Sequence, residues 1–171
     1  QGYPSKPIRV IVGYTAGGAV DIVARAVSQQ LQTSLGQPVI VENRPGAGTN
    51  IALRALIDSP ADGYTLMLTA NAIAANMSLY QPPPYDLARD ITPISLVGRV
   101  PVVLAVNAQS EYKTLGDLIA AAKAKPGSVN YASPGNGSTP HLAVELFERA
   151  SGISLTHVPY KGGSQAITDV M

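Results

Sequence analysis

The sequence predicts an α/β protein in which helices flank parallel sheets. Three observations carry this. Ile8–Val12 is a short, nearly continuous β-branched run, as in a strand covered on both faces. A glycine-bearing loop follows and opens directly into a helix-periodic segment, so Ile8–Asp21 (IRVIVGYTAGGAVD) reads as strand, turn and helix start. The same device recurs with short connections, which implies right-handed parallel crossovers and loops gathered on one sheet edge.

Each element has its own signal. Val20, Val23, Val27, Leu31 and Leu35 form an i, i+3/i+4 stripe, and Gly36 supplies a helix stop. Pro38–Glu42 reads as the second strand. The loop Asn43–Asn50 (NRPGAGTN) leads to a helix over Ile51–Ile57, with Thr49 or Asn50 as its cap. Asp62-Gly63 turns into a third strand, Tyr64–Ala70. A short helix over Asn71–Tyr80 ends at the proline run Pro82-Pro83-Pro84, and residues 81–92 read as a surface connection.

Ile94–Val97 and Val102–Val106 are apolar and strand-like, and the glycine and proline between them mark a crossover between two lobes, residues 1–100 and 101–171. Thr114–Asp117 resembles a capping box ahead of an alanine-rich helix ending at Pro126-Gly127. Asn130–Ser133 is a strand, and PGNGST (Pro134–Thr139) is a third glycine-rich loop. Ser138 or Thr139 caps the next helix, which carries Pro140 in its first turn and Gly152 just past its end. Leu155–Pro159 is a further strand, and Tyr160–Gly163 a fourth such loop with Ser164 as cap.

Composition narrows the function classes. Hydrophobic residues make up 46% of the 171 and charged residues 13%, which fits a globular chain. A net charge of +1 without basic or acidic blocks argues against a nucleic-acid partner or a polybasic membrane patch. No uninterrupted apolar run approaches the roughly 20 residues of a membrane-spanning helix. The absence of cysteine removes disulfides, thiolate metal sites and cysteine nucleophiles. Gln1-Gly2-Tyr3-Pro4 reads as a start exposed by signal-peptide cleavage. No cluster of His, Asp and Glu suggests a metal, and neither G-x-x-x-x-G-K-[ST] nor G-x-G-x-x-G with a ribose acid suggests a nucleotide, so no cofactor is expected.

The strings GGAVDIVAR (Gly17–Arg25), LGQPVIVENRPGAGTN (Leu35–Asn50), DGYTL (Asp62–Leu66), YASPGNGSTPHLAVELF (Tyr131–Phe147) and HVPYKGG (His157–Gly163) occur in order along the chain. Together they resemble the substrate-binding proteins of tripartite tricarboxylate transporters, the Bug receptors. The resemblance implies a periplasmic, two-lobed Venus flytrap fold of the periplasmic-binding-protein kind that closes on a small carboxylate. It also implies delivery to a membrane permease of the tripartite type. Tyr14-Thr15-Ala16 stands where the family more often has a proline-containing run, and Gly48-Thr49 where a second glycine is usual. Met171 falls early in a helix, whereas family members continue further. The resemblance therefore implies an incomplete fold, either a shortened chain or one completed by a partner chain.

Chemistry at the loops follows from helix starts. Unpaired N–H groups and the positive end of the helix dipole point the same way, which makes an anion site. In the first loop, the amides of Ala16, Gly17, Gly18 and Ala19 with the Thr15 hydroxyl, beside Tyr14, are read as holding one ligand carboxylate. Asp21 would repel an anion there. It reads either as a brace for first-turn amides or as a partner for a ligand ammonium. Gly46, Ala47, Gly48 and Thr49 form the second ligand loop, and Asn71 the third. Arg44 suits either a bidentate salt bridge to substrate or a loop brace. In the second lobe, Ser133, Gly135, Ser138 and Thr139 offer hydroxyls and amides to a second carboxylate. His141 reads as a neutral donor or as a surface or packing residue; Tyr160 and Lys161 read as closing over the ligand, Lys161 equally as a solvated loop charge. The same residue types leave a serine and histidine hydrolase as the alternative, although PGNGS lacks the G-x-S-x-G elbow.

Overall fold

The computed structural model describes residues 2–171; Gln1, first residue of the start read as exposed by cleavage, lies outside them. β1 (Ile8–Val12) is the centre of the first sheet, with β2 (Val39–Asn43) and β3 (Thr65–Leu68) parallel to it on either side. The register pairs Val10 with Val41 and with Leu66. β1 is the most apolar strand, and the central position is the one with neighbours on both edges. Ile8, Val10 and Val12 join Tyr14, Ala24 and Val39 in one buried cluster, while Ile11 lies on the opposite face by the two-residue pleat. Burial of each of the valine and isoleucine side chains among these contributes about 1.5–3 kcal/mol.

α1 (Ala19–Leu35) covers one face and α2 (Asn50–Ile57) the other. The face of α1 nearest the sheet is not the valine stripe. Asp21, Ala24 and Ser28 are the buried residues, Val20 and Leu31 pack half-buried beside them, and Leu35 is exposed. Small side chains let the helix approach the strands, so the larger ones sit on the flanks of the contact. α2 is preceded by a 3-10 turn, Ala47–Thr49. Thr49 occupies the cap position of α2, but its hydroxyl makes no capping bond. α3 (Ala72–Leu79) follows β3.

The connection over residues 81–92 contains a single helical turn, α4 (Leu87–Asp90), whose first amides donate to the Asp86 carboxylate. Residues 91–106 form no strand. Ile94, Leu96, Val97, Val100, Val102, Val103, Leu104 and Val106 are all exposed, and among the described residues no strand lies beside them to complete a ladder. β-branched composition expresses strand character only against neighbours, which explains the departure from the expected strands.

α5 (Leu115–Ala124) starts with the expected capping box, Thr114 with Asp117. β4 (Asn130–Ser133) and β5 (Thr156–Pro159) form a separate parallel pair, with Ser133 opposite Pro159. α6 (Thr139–Ser151) lies between them in sequence, and α7 (Gly163–Val170) packs on β4. Gly162, and not Ser164, is the cap residue of α7.

Candidate functional site

The four glycine-rich loops meet at one seam. From the first sheet come the turns after β1 and β2 and the start of α3. From the second come the turns after β4 and β5. Thr15 Oγ1 and Ser164 Oγ are 3.3 Å apart, and Ser164 Oγ also donates to the Ala16 carbonyl at 3.3 Å. Thr139 Oγ1 donates to Asn71 Oδ1 across the same seam. A Cβ on Gly48 would lie 2.6 Å from the Asn136 carbonyl oxygen, so the second and third loops also touch.

The expected donors divide into free and engaged groups. The Gly17 amide donates to Asp21 Oδ2 at 2.9 Å and the Gly18 amide to the Thr15 carbonyl at 3.4 Å. Neither is free for a carboxylate. The amides of Ala16, Ala19 and Val20 have no acceptor among the described residues, so the helix start keeps donors at its mouth. Asp21 is buried and turned inward. Besides Gly17, it accepts from Arg25 Nε at 2.9 Å and from Asn43 Nδ2 at 2.8 Å. The Arg25 guanidinium, with the Gly17 amide and Asn43 amide behind it, holds the Asp21 carboxyl down at about 2 against the opposing effect of burial. All three of its partners belong to the chain itself, so the carboxylate braces the loop. Tyr14 is buried too, and burial pushes its phenol up to about 12.

Arg44 bonds Glu42 Oε1 through Nε at 2.5 Å and so braces its own strand end. Gly46, Ala47, Gly48 and Thr49 have φ of 130°, 47°, 59° and 78°, a run of left-handed backbone at the seam. The Thr49 hydroxyl is buried without a hydrogen-bond partner, and its side chain fills the space left by Gly13.

In the second sheet the picture differs from expectation. Ser133 is buried, 1% exposed, and its Oγ accepts from the Gly135 amide at 3.1 Å and pairs with His157 Nε2 at 2.7 Å. Ser138 is likewise buried and caps α6 by accepting from the His141 amide at 3.4 Å. His141 does not donate into the seam. Its Nδ1 accepts from the Gly137 amide at 3.1 Å, and its Nε2 lies 3.6 Å from Glu145. The ring stacks on His157 at 4.2 Å between centroids, and His157 stacks on Tyr131 at 4.8 Å. Burial, reinforced by His141, holds the His157 imidazole below its ordinary value. Tyr160 Oη donates to Asp169 at 2.6 Å and is tied down to α7. Lys161 is exposed and has no carboxylate partner among the described residues.

Residues that sequence reasoning missed lie beside those it named. Asn43, Asn76, His157 and Gly162 all hold seam loops in place. Asn76 carried one faint signal, a lone amide inside the otherwise apolar and small-residue helix AIAANMSL.

The profile of the tripartite tricarboxylate transporter family receptor, TctC, matches residues 23–171. The chain belongs to that family. Protein BugT of Bordetella pertussis is 43% identical over 171 residues, covering 99% of this chain and 52% of BugT. Among solved structures, R. palustris Rpa4515 with adipate superposes with a TM-score of 0.94 at 35% identity, covering 99% of this chain and 57% of that one. MatC (Rpa3494) from Rhodopseudomonas palustris with bound malate gives 0.87 at 28% identity, covering 98% and 57%. The receptor-family chain thus spans about half the length of the curated relatives it matches. Parallel sheets flanked by helices agree with the fold class read from the sequence.

Proposed function

We propose that this chain is the ligand-engaging part of a periplasmic solute receptor. It has two lobes, residues 1–100 and 101–171, takes a small dicarboxylate between them without chemistry, and delivers it to a tripartite-type membrane permease. The observation that carries the reading is the convergence of loops from both sheets at the Thr15–Ser164 and Asn71–Thr139 contacts, beside the unpaired amides of Ala16, Ala19 and Val20. Each charge-assisted hydrogen bond contributes roughly 1.5–3 kcal/mol, so three with the helix dipole reach the range of about −8 kcal/mol for micromolar binding. Two relatives solved with adipate and malate support the dicarboxylate class. Main-chain donors read the carboxylate and leave the carbon skeleton to the walls of the site.

Isothermal titration with adipate, malate, acetate and a neutral diamide tests the reading. Binding of the two diacids alone is the expected result. Equal heats for all four, or none for either diacid, overturn it. A hydrolase reading has one observation in its favour, the 2.7 Å Ser133–His157 pair. Ser133 is sealed from solvent, and no carboxylate hydrogen-bonds His157 among the described residues, so the pair lacks both access and an orienting acid. Turnover of a p-nitrophenyl ester that is lost in Ser133→Ala would reinstate it.

A further inference from the structure

Asn76 lies where the two sheets' loops meet: its Nδ2 bonds its own unit, and its Oδ1 sits between Gly48 of that unit and Gly137 of the other. It is fully buried on α3. Its Nδ2 donates to the Gly48 carbonyl at 2.7 Å and to Asn50 Oδ1 at 2.8 Å. Its Oδ1 has no hydrogen-bond partner among the described residues. A Cβ on Gly137 would lie 2.6 Å from that oxygen.

The loop that Nδ2 holds needs holding. Ala47 and Thr49 have positive φ without being glycine, and a β-branched residue in that region persists only where its surroundings over-determine it. Two main-chain bonds, Thr49 to the Gly46 carbonyl at 3.0 Å and Asn50 to the Ala47 carbonyl, close the turn. Asn76 adds two more from outside it, one to the backbone and one to the side chain that starts α2. Tyr85 Oη, which donates its one hydrogen to the Ile73 carbonyl at 2.8 Å, also lies 3.2 Å from the same Asn50 Oδ1. The left-handed turn is thus held by a residue 28 positions away, whose Oδ1 packs against Gly137 in the turn after β4.

We propose that Asn76 is a positioning residue: it sets the Gly46–Asn50 loop and couples that loop to docking of the Pro134–Ser138 turn across the seam. It touches no ligand itself. The consequence for binding rests on the receptor reading above, whereas the coupling does not.

Hydrogen exchange on the 171-residue chain tests the coupling without any ligand. In Asn76→Leu, the amides of Thr49 and Asn50 exchange at least tenfold faster, and so do those of Gly135–Ser138 in the other unit, while β1 is unchanged. Asn76→Asp keeps the size and loses the two donated bonds, and it gives the same increase at Thr49 and Asn50. Gly137→Ala strains its own left-handed backbone (φ 74°) and also presses a methyl on Oδ1 and on Leu79 from the far side, so exchange at Thr49 and Asn50, outside its own unit, speeds up as well. Wild-type protection of the loop in either Asn76 variant overturns the proposal. So does an increase of equal size in β1, or an effect of Gly137→Ala confined to its own turn. Titration with adipate and malate then shows a tenfold or greater loss of affinity in Asn76→Leu. If the unsubstituted chain binds neither acid, the receptor reading falls and the exchange pattern still decides the role of Asn76.

Discussion

Gly162 and Thr15 are packed so closely that a Cβ on the glycine would overlap the threonine hydroxyl and lie 2.7 Å from its Cβ. Gly162 has a φ of −177°, extended backbone open to any residue, so the glycine is there for space and not for conformation. Gly162→Ala therefore pushes the turn after β5 away from the turn after β1. The expected outcome is a longer distance between labels placed on the two units, read by electron paramagnetic resonance. Thr15→Gly in the same chain restores it. An unchanged distance in Gly162→Ala would show that the seam absorbs a methyl.

Thr15→Val removes the hydroxyl that meets Ser164 while leaving the shape of the loop. Dicarboxylate affinity falls about fivefold, the loss of one hydrogen bond worth about 1 kcal/mol. Calorimetry across diacids of different length reads this as a uniform drop. Unchanged affinities across the series would remove Thr15 from the site.

Asp21 makes a stability prediction with a definite sign. Its carboxyl titrates at about 2 in the fold against 3.8 unperturbed, so the fold favours the charged form. The contribution, about 2 kcal/mol for a buried group at 1.36 kcal/mol per unit, is complete above the unperturbed value and is lost as pH falls through the folded one. Urea unfolding of Asp21→Asn should show a deficit of that order at pH 7 that shrinks steadily below pH 4. A deficit constant with pH would mean that packing, not charge, is what the substitution removes.

His157 behaves oppositely. Its folded value lies below the ordinary 6.5, so the fold favours neutral imidazole and the unfolded chain binds more protons in mild acid. Stability is intact above neutrality and declines as pH falls through 6.5 toward the folded value. Only two histidines exist, so a proton NMR titration assigned with His141→Gln should find His157 midpoints below 6.5. A midpoint above it would show that Glu145 outweighs burial.

Much of this arrangement was legible in the residues. The β-branched run at Ile8–Val12, the glycine stops of α1 and α6 and the Thr114/Asp117 box are local signals, and each produced its element. The loops were also correctly gathered, because parallel crossovers leave little freedom about which sheet edge a turn occupies. What escaped notice depends on contacts distant in sequence. Ser133 read as a ligand hydroxyl because His157, 24 residues on, was not visible as its partner. The Gly17 amide read as free because the inward turn of Asp21 is decided by Asn43 and Arg25. Asn76 was silent for the same reason, since both of its roles are defined by other loops. The segment over residues 94–106 misled in the other direction, because strand propensity there has no second strand to act on.

That segment also governs how the polypeptide behaves in a test tube. Its aliphatic side chains face water, and among the described residues its amides and carbonyls find no ladder partner, so two copies of this chain that collide each offer what the other lacks. For the 171-residue chain the expected outcome is association through this segment, read as light scattering that climbs with concentration. A lysine at Val103 would blunt the climb and leave the melting temperature alone, which makes it the first change to engineer for anyone preparing crystals.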